Sequence, residues 1–192
     1  MLSFLSRMIL RLLGWKVEGQ APDPSHYVLL MAPHTSRWDG LLLILSGGAL
    51  KMPINWIVAR DALNPILLPI VKRIGGVPIR RTKSQNVVQT MVNEFATRDS
   101  LAMAIAPMGM TRYSERWRSG FYRIAMQADV PVVFSYLDWG EKRLGVSDPY
   151  KLTGDPSTDM DVIRAFYDGM AGKFPKNMSK IYLTMEDEKA VE

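Results

Sequence analysis

The chain contains no cysteine in its 192 residues. That excludes disulfides, zinc held on thiolates and a thiol nucleophile, and it is compatible with a reducing cytosol. Histidine is nearly as scarce, with His26 and His34 the only two. Neither sits in a His/Glu cluster, so the pattern calls for no metal. No apolar run reaches the roughly 20 residues that a membrane-crossing helix needs. Acidic residues are also in short supply, 19 against 24 Lys and Arg, which leaves a net charge of +5. Such an excess suits an anionic partner, either phosphate esters or an anionic membrane face. Nucleic acid is the weaker reading, because no zinc finger, RNA-recognition aromatic signature or clear helix-turn-helix is visible. No Ser/His/Asp order reads as a nucleophile triad. Internal repeats and low-complexity linkers are absent, so the length is read as one domain.

The first segment present is amphipathic. Over residues 2–15, Ser3, Arg7, Arg11 and Gly14 fall on one helical face, while Phe4, Leu5, Met8, Ile9, Leu12 and Leu13 cover the other. Arg7, Arg11 and Lys16 precede the first acid, Glu18, and Trp15 closes the stretch. This is the pattern of a helix lying in a membrane interface. A docked core helix is the competing reading. A secretory signal fits worse, since the arginines interrupt the apolar stretch. A second apolar segment, Leu63 to Val71, ends in Lys72-Arg73 and could extend the same surface. The expectation is a peripheral, monotopic protein on the cytoplasmic face of the cell membrane, with residues 1–20 as the interfacial helix, 21–185 as the main domain and 186–192 as a frayed acidic tail.

Strand and helix patterns then alternate. Strands are expected at Tyr27 to Met31, Ile54 to Ala59, Gly76 to Arg80, Leu101 to Ala106, Val130 to Tyr136, Arg143 to Val146 and Ile181 to Met185. Helices are expected from Trp38 to Leu45 (stopping at Gly47-Gly48), from a cap at Asp61 toward Arg73, and over Asn86 to Arg98. Two more run over Glu115 to Gln127 and from a capping box at Thr158-x-x-Asp161 to Ala171. The alternation predicts an α/β layered domain with a mixed, largely parallel sheet flanked by helices.

His34 follows the first strand, where ligands of such sheets bind, and Asp39 stands five positions on. A carboxylate can fix an imidazole's tautomer, leaving the other ring nitrogen to take a proton from a hydroxyl. A loop His capped by a local Asp is the alternative. His26 has no carboxylate at that spacing and reads as an ordinary surface residue. Arg80 and Arg81 end a short strand, and guanidinium forks match phosphate oxygens; solvated edge arginines are the alternative. Ala106 to Arg112 follows another strand with Gly109 in its middle. A turn of this kind at a helix start can offer backbone N–H groups to an oxyanion. It lacks the Gly-Lys-Ser/Thr ending of a P-loop.

Four blocks in order, His34-x4-Asp39, Gly76-Val77-Pro78-Ile79-Arg80-Arg81, Ala106-Pro107-Met108-Gly109 and Val130-Pro131-Val132-Val133, resemble those of the glycerolipid acyltransferases, in particular the bacterial 1-acylglycerol-3-phosphate type. The resemblance runs from about Tyr27 to Pro175. It implies that His34 is the general base and Asp39 its orienting partner. It also implies that Arg81, with Arg80 and Arg112, holds the acceptor phosphate, and that Pro131 helps shape the acyl site. Gly109 and Thr111 belong to the same substrate-binding block. The implied reaction moves an acyl group from acyl-CoA or acyl carrier protein, with no bound cofactor, to a lysophospholipid hydroxyl. The third block departs from the family's Pro-Glu-Gly-Thr-Arg. Aligned without a gap, Met108 replaces the Glu and Thr111 the Arg; an insertion at Met110 keeps Thr111-Arg112 in role but still loses the Glu. A different lyso-lipid acceptor, or a non-catalytic lipid-binding homologue, therefore stays open.

Overall fold

The computed structural model describes residues 2–59, 64–73, 75–79, 84–109 and 111–189. Strand β2 (His26–Ala32) is the centre of the structure. Its run of Tyr, Val, Leu, Leu and Met is buried on both faces, as a parallel strand covered by helices must be. Val28, Leu30 and Ala32 join one apolar cluster, and Tyr27, Leu29 and Met31 join another on the opposite face. The alternation is the period-2 pleat, and it makes the domain three layers deep.

The sheet has seven strands in the order β1-β7-β6-β2-β5-β3-β4. The others are β1 (Lys16–Glu18), β3 (Asn55–Ala59), β4 (Gly76–Ile79), β5 (Leu101–Ile105), β6 (Val132–Asp138) and β7 (Arg143–Val146). All neighbours pair in parallel except β6 with β7. The expected mixed, largely parallel α/β sheet is therefore present. One face carries α4 (Ser84–Thr97), α5 (Gly120–Ala128) and α6 (Pro156–Tyr167), through Met91, Phe95, Phe121, Ile124 and Ile163. The other carries α1 (Leu2–Leu12) and α2 (Trp38–Leu50), through Leu10, Leu42, Leu43 and Leu50. A short α3 (Leu68–Arg73) and a terminal α7 (Thr184–Lys189) complete the chain.

Several boundaries differ from the sequence reading. Helix α2 runs straight through Gly47 and Gly48 instead of stopping there. These glycines are contact points: a Cβ on Gly47 would stand 2.5 Å from Ile54 Cδ1, and one on Gly48 would stand 2.4 Å from Ser6 Oγ. Helix α5 starts at Gly120, five residues later than expected, because Trp117 is held in an isolated parallel bridge to Leu183. That bridge is all that forms of the strand expected at Ile181 to Met185. From Glu186 to Lys189 the tail is helical: Glu186 is buried against the Leu183 N–H and Arg164, and Asp187 pairs with Arg116. Helix α6 opens at Pro156 rather than Thr158, with Thr158 Oγ1 donating to Asp155 Oδ2 at 2.7 Å. Asp61 lies outside the described residues.

Helix α1 docks with its polar side inward. Arg7 Nε and Ser3 Oγ donate to the Ala49 carbonyl at 3.0 and 3.3 Å, and Ser6 and Leu10 are buried against α2. Phe4 and Leu12 remain 74% and 79% exposed, with Leu5, Met8 and Leu13 beside them in the sequence and also exposed. On α2, Trp38, Leu41 and Ile44 are exposed as well. Among the described residues no helix is long and apolar enough to cross a membrane.

Candidate active site

Because β5, β2 and β6 are parallel neighbours, their carboxyl ends lie at one edge of the sheet. The residues that follow them are Gly109 after β5, His34 after β2 and Trp139 after β6. This is where an open α/β sheet has room for a ligand.

His34 and Asp39 meet there. His34 Nδ1 donates to Asp39 Oδ2 at 3.2 Å, with the imidazole 18% exposed and the carboxylate fully buried. Asp39 sits in the first turn of α2, where negative charge suits the helix dipole. The same Oδ2 accepts the backbone N–H groups of Thr35 and Ser36, each at 2.8 Å. Oδ1 accepts the Trp139 indole N–H at 2.8 Å. Four donors hold the carboxylate, so its position is fixed and His34 is oriented through Nδ1, its Nε2 bonded to none of the described residues. Trp139 was not singled out from the sequence, and its partner is 100 positions away.

A second set of contacts fixes the loop that carries Trp139. The buried Asp138 accepts the N–H groups of Ala171, Gly140 and Glu141 through Oδ1 and Arg143 Nε through Oδ2 at 3.0 Å. Burial opposes its charge, but these hydrogen bonds outweigh that and hold its carboxyl below the ordinary carboxylate value. Trp139 meets Trp15 edge to face at 5.0 Å, and Lys173 Nζ lies 4.7 Å over its ring and 5.2 Å over Trp38. Thr35 Oγ1 accepts the Phe174 N–H at 3.2 Å, so the segment after α6 clamps the loop bearing His34.

His34 borders two spaces. A small cavity of about 30 Å³, room for a single water, lies between it and Thr35, Met108, Trp117, Tyr167 and Met178. An open groove of about 640 Å³ runs the other way, lined by His34, Gly40, Leu43, Ile44, Ile54 and Arg118 among others. Met108 is buried within the apolar cluster, so the position where the family pattern has a carboxylate carries a thioether packed in the core.

The remaining sequence-derived candidates fall as follows. Gly109 lines the groove with φ +74°, and its N–H donates to the Ala106 carbonyl at 3.0 Å. That donor is used within the turn, so it is not offered to an oxyanion. The turn also stands eleven residues before α5, not at a helix start. Thr111 is half-buried and Arg112 exposed, and neither lines the groove of His34. Pro131 precedes β6 at the opposite end of the sheet, where its carbonyl accepts the Val28 N–H and it borders a separate hollow beside His26. It is not brought to His34. Arg80 and Arg81 lie outside the described residues. Among the described residues no three His, Asp or Glu side chains gather as a metal site.

Residues 14–136 match the profile of the family described as Acyltransferase. A solved structure, the 1-acyl-sn-glycerophosphate (LPA) acyltransferase PlsC from Thermotoga maritima, superposes with a TM-score of 0.52. The match covers 85% of this chain and 74% of that one at 13% identity, which is a likeness of fold. No curated protein matches the sequence.

Proposed function

This chain belongs to the acyltransferase family, and we propose that within it the protein transfers a fatty acyl group from acyl-CoA or acyl carrier protein to the hydroxyl of a lysophospholipid at a membrane surface. The favoured acceptor is 1-acylglycerol-3-phosphate, and the product is then phosphatidic acid. The observation that carries this reading is the His34–Asp39 pair opening onto an apolar groove.

In the proposed reaction His34 Nε2 takes the proton of the acceptor hydroxyl as its oxygen attacks the thioester carbonyl carbon. Asp39, immobilised by Thr35, Ser36 and Trp139, stabilises the imidazolium that results. The tetrahedral intermediate collapses to the new ester, and the departing thiolate takes the proton from His34. The reaction balances without a metal or a bound redox group.

The membrane part of the reading rests on placement. Helix α1 turns its apolar side to solvent, and Ile44, exposed on α2, is also a wall of the groove. A lysolipid leaving the bilayer through such a face would stay in contact with apolar surface.

Met108 favours a second reading, in which the acceptor differs from lysophosphatidic acid, because the carboxylate of the third block is replaced by a buried thioether. A panel of lysophosphatidic acid, lyso-aminolipids and lysoglycolipids, incubated with oleoyl-CoA and purified protein and read by mass spectrometry, separates the two. Predominant acylation of lysophosphatidic acid supports the first. Acylation of another acceptor alone replaces it with the second, and no acylated product of any acceptor removes both.

A further inference from the structure

The groove of His34 is walled by Met31, Leu43, Ile44, Ile54 and Ile57, and among its described lining residues one bears a permanent charge, Arg118. Gly109 makes the space for it. A Cβ on Gly109 would stand 2.9 Å from Cζ and Nε of Arg118, so any other residue would push the guanidinium aside. The Arg118 backbone is held to the same turn, its N–H donating to the Pro107 carbonyl at 2.8 Å. Among the described residues Arg118 makes no ion pair. Its neighbour Arg116 is committed, paired with Asp187 and lying 5.4 Å over the Tyr182 ring. A wider groove of about 1060 Å³ adjoins the first, sharing Ile57, Ala106 and Gly109 with it, and Arg118 lines both.

An apolar channel with a guanidinium that pairs with no described residue complements an amphiphile that carries an anionic group. We propose that Arg118 binds a phosphate group of the substrate, the guanidinium forking two phosphate oxygens while alkyl chain lies against Leu43, Ile44 and Ile54. This deepens the function proposed above and rests on it. It gives the role that the family pattern assigns to Arg112 to a different residue. The phosphate belongs either to the head of the lysolipid acceptor or to the arm of the thioester donor.

The test is a binding titration of the purified full chain, followed by calorimetry, with short-chain lysophosphatidic acid below its micellar concentration and, separately, with coenzyme A. In Arg118→Gln the affinity for one of the two falls roughly ten- to hundred-fold, the usual worth of a charge-assisted contact, and Arg118→Lys recovers part of it. Arg118 is exposed, so both variants should melt with the wild type. Loss confined to lysophosphatidic acid assigns the phosphate to the acceptor, and loss confined to coenzyme A assigns it to the donor. A change smaller than three-fold for both ligands overturns the proposal. The readout needs no turnover, so a chain that binds through Arg118 but transfers no acyl group would sink the acyl-transfer reading and leave the phosphate site standing.

Discussion

At the scale of single residues, the five-residue spacing of His34 and Asp39 is only part of what makes them a pair. Asp39 takes two backbone donors from its own loop and an indole donor from the loop after the neighbouring strand β6. The first two are local, because a short loop running into a helix can fold back on its own first-turn acid, but only the structure shows them. Trp139 is not local, since only the pairing of β6 with β2 brings it close; its place just past an apolar strand was the one local signal. Trp139→Phe keeps an aromatic ring at the position but removes the donor to Asp39. We expect kcat to fall about ten-fold, the worth of about one hydrogen bond of 1–2 kcal/mol, with KM for the acceptor moving less than two-fold. Steady-state kinetics would show an unchanged kcat if Asp39 needs no such support. The missing carboxylate at Met108 was legible in the sequence, but its burial among apolar side chains was not.

At the scale of elements, α1 was read correctly as amphipathic, but periodicity alone left open which side faces the protein. The answer lies in α2, where Gly48 admits Ser6 and the free Ala49 carbonyl accepts Arg7 and Ser3. The double variant Phe4→Glu, Leu12→Glu changes only exposed positions, so it should fold normally and lose most of its flotation with anionic liposomes. Equal flotation of variant and wild type would refute an interfacial α1. The stripe at Trp117, Phe121, Ile124 and Ala125 resembled a single helix because all four are buried, yet Trp117 is buried by its bridge to Leu183. Inward-facing residues look alike whether a helix or a bridge turns them in.

The turn after β6 depends on Asp138. Its carboxyl titrates below the ordinary value in the folded protein, so its contribution is complete above the unfolded value of about 3.9 and is lost as pH falls through the lower folded value. Asp138→Asn should melt about 5 °C below wild type at pH 7, for a loss of about 2 kcal/mol at a few degrees per kcal/mol. The gap should narrow between about pH 5 and pH 3, as the wild-type carboxyl is protonated. Parallel melting curves at the two extremes would contradict this if the gap stayed constant.

At the scale of the whole molecule, the strand order does what no local segment can. Placing β2 between β5 and β6 gathers three loops, distant in sequence, around one imidazole. The alternating pattern was enough to give the layers and the largely parallel sheet, because buried parallel strands announce themselves as short apolar runs. It was not enough to separate residues at the carboxyl edge from those at the other end. Pro131, which the family resemblance assigned to the acyl site, is found at that other end, beside His26. The same limit explains why Arg118, which reaches the groove only by lying over Gly109, went unnoticed.

If His34 is the base of an acyl-transfer reaction, its loss must show in the rate at which purified protein converts lysophosphatidic acid and oleoyl-CoA to phosphatidic acid, measured for wild type and His34→Ala under the same conditions. We predict steady turnover by the wild type and a loss of about a hundred-fold or more in the variant, the usual worth of a positioned general base. A variant that keeps the wild-type rate would contradict the account.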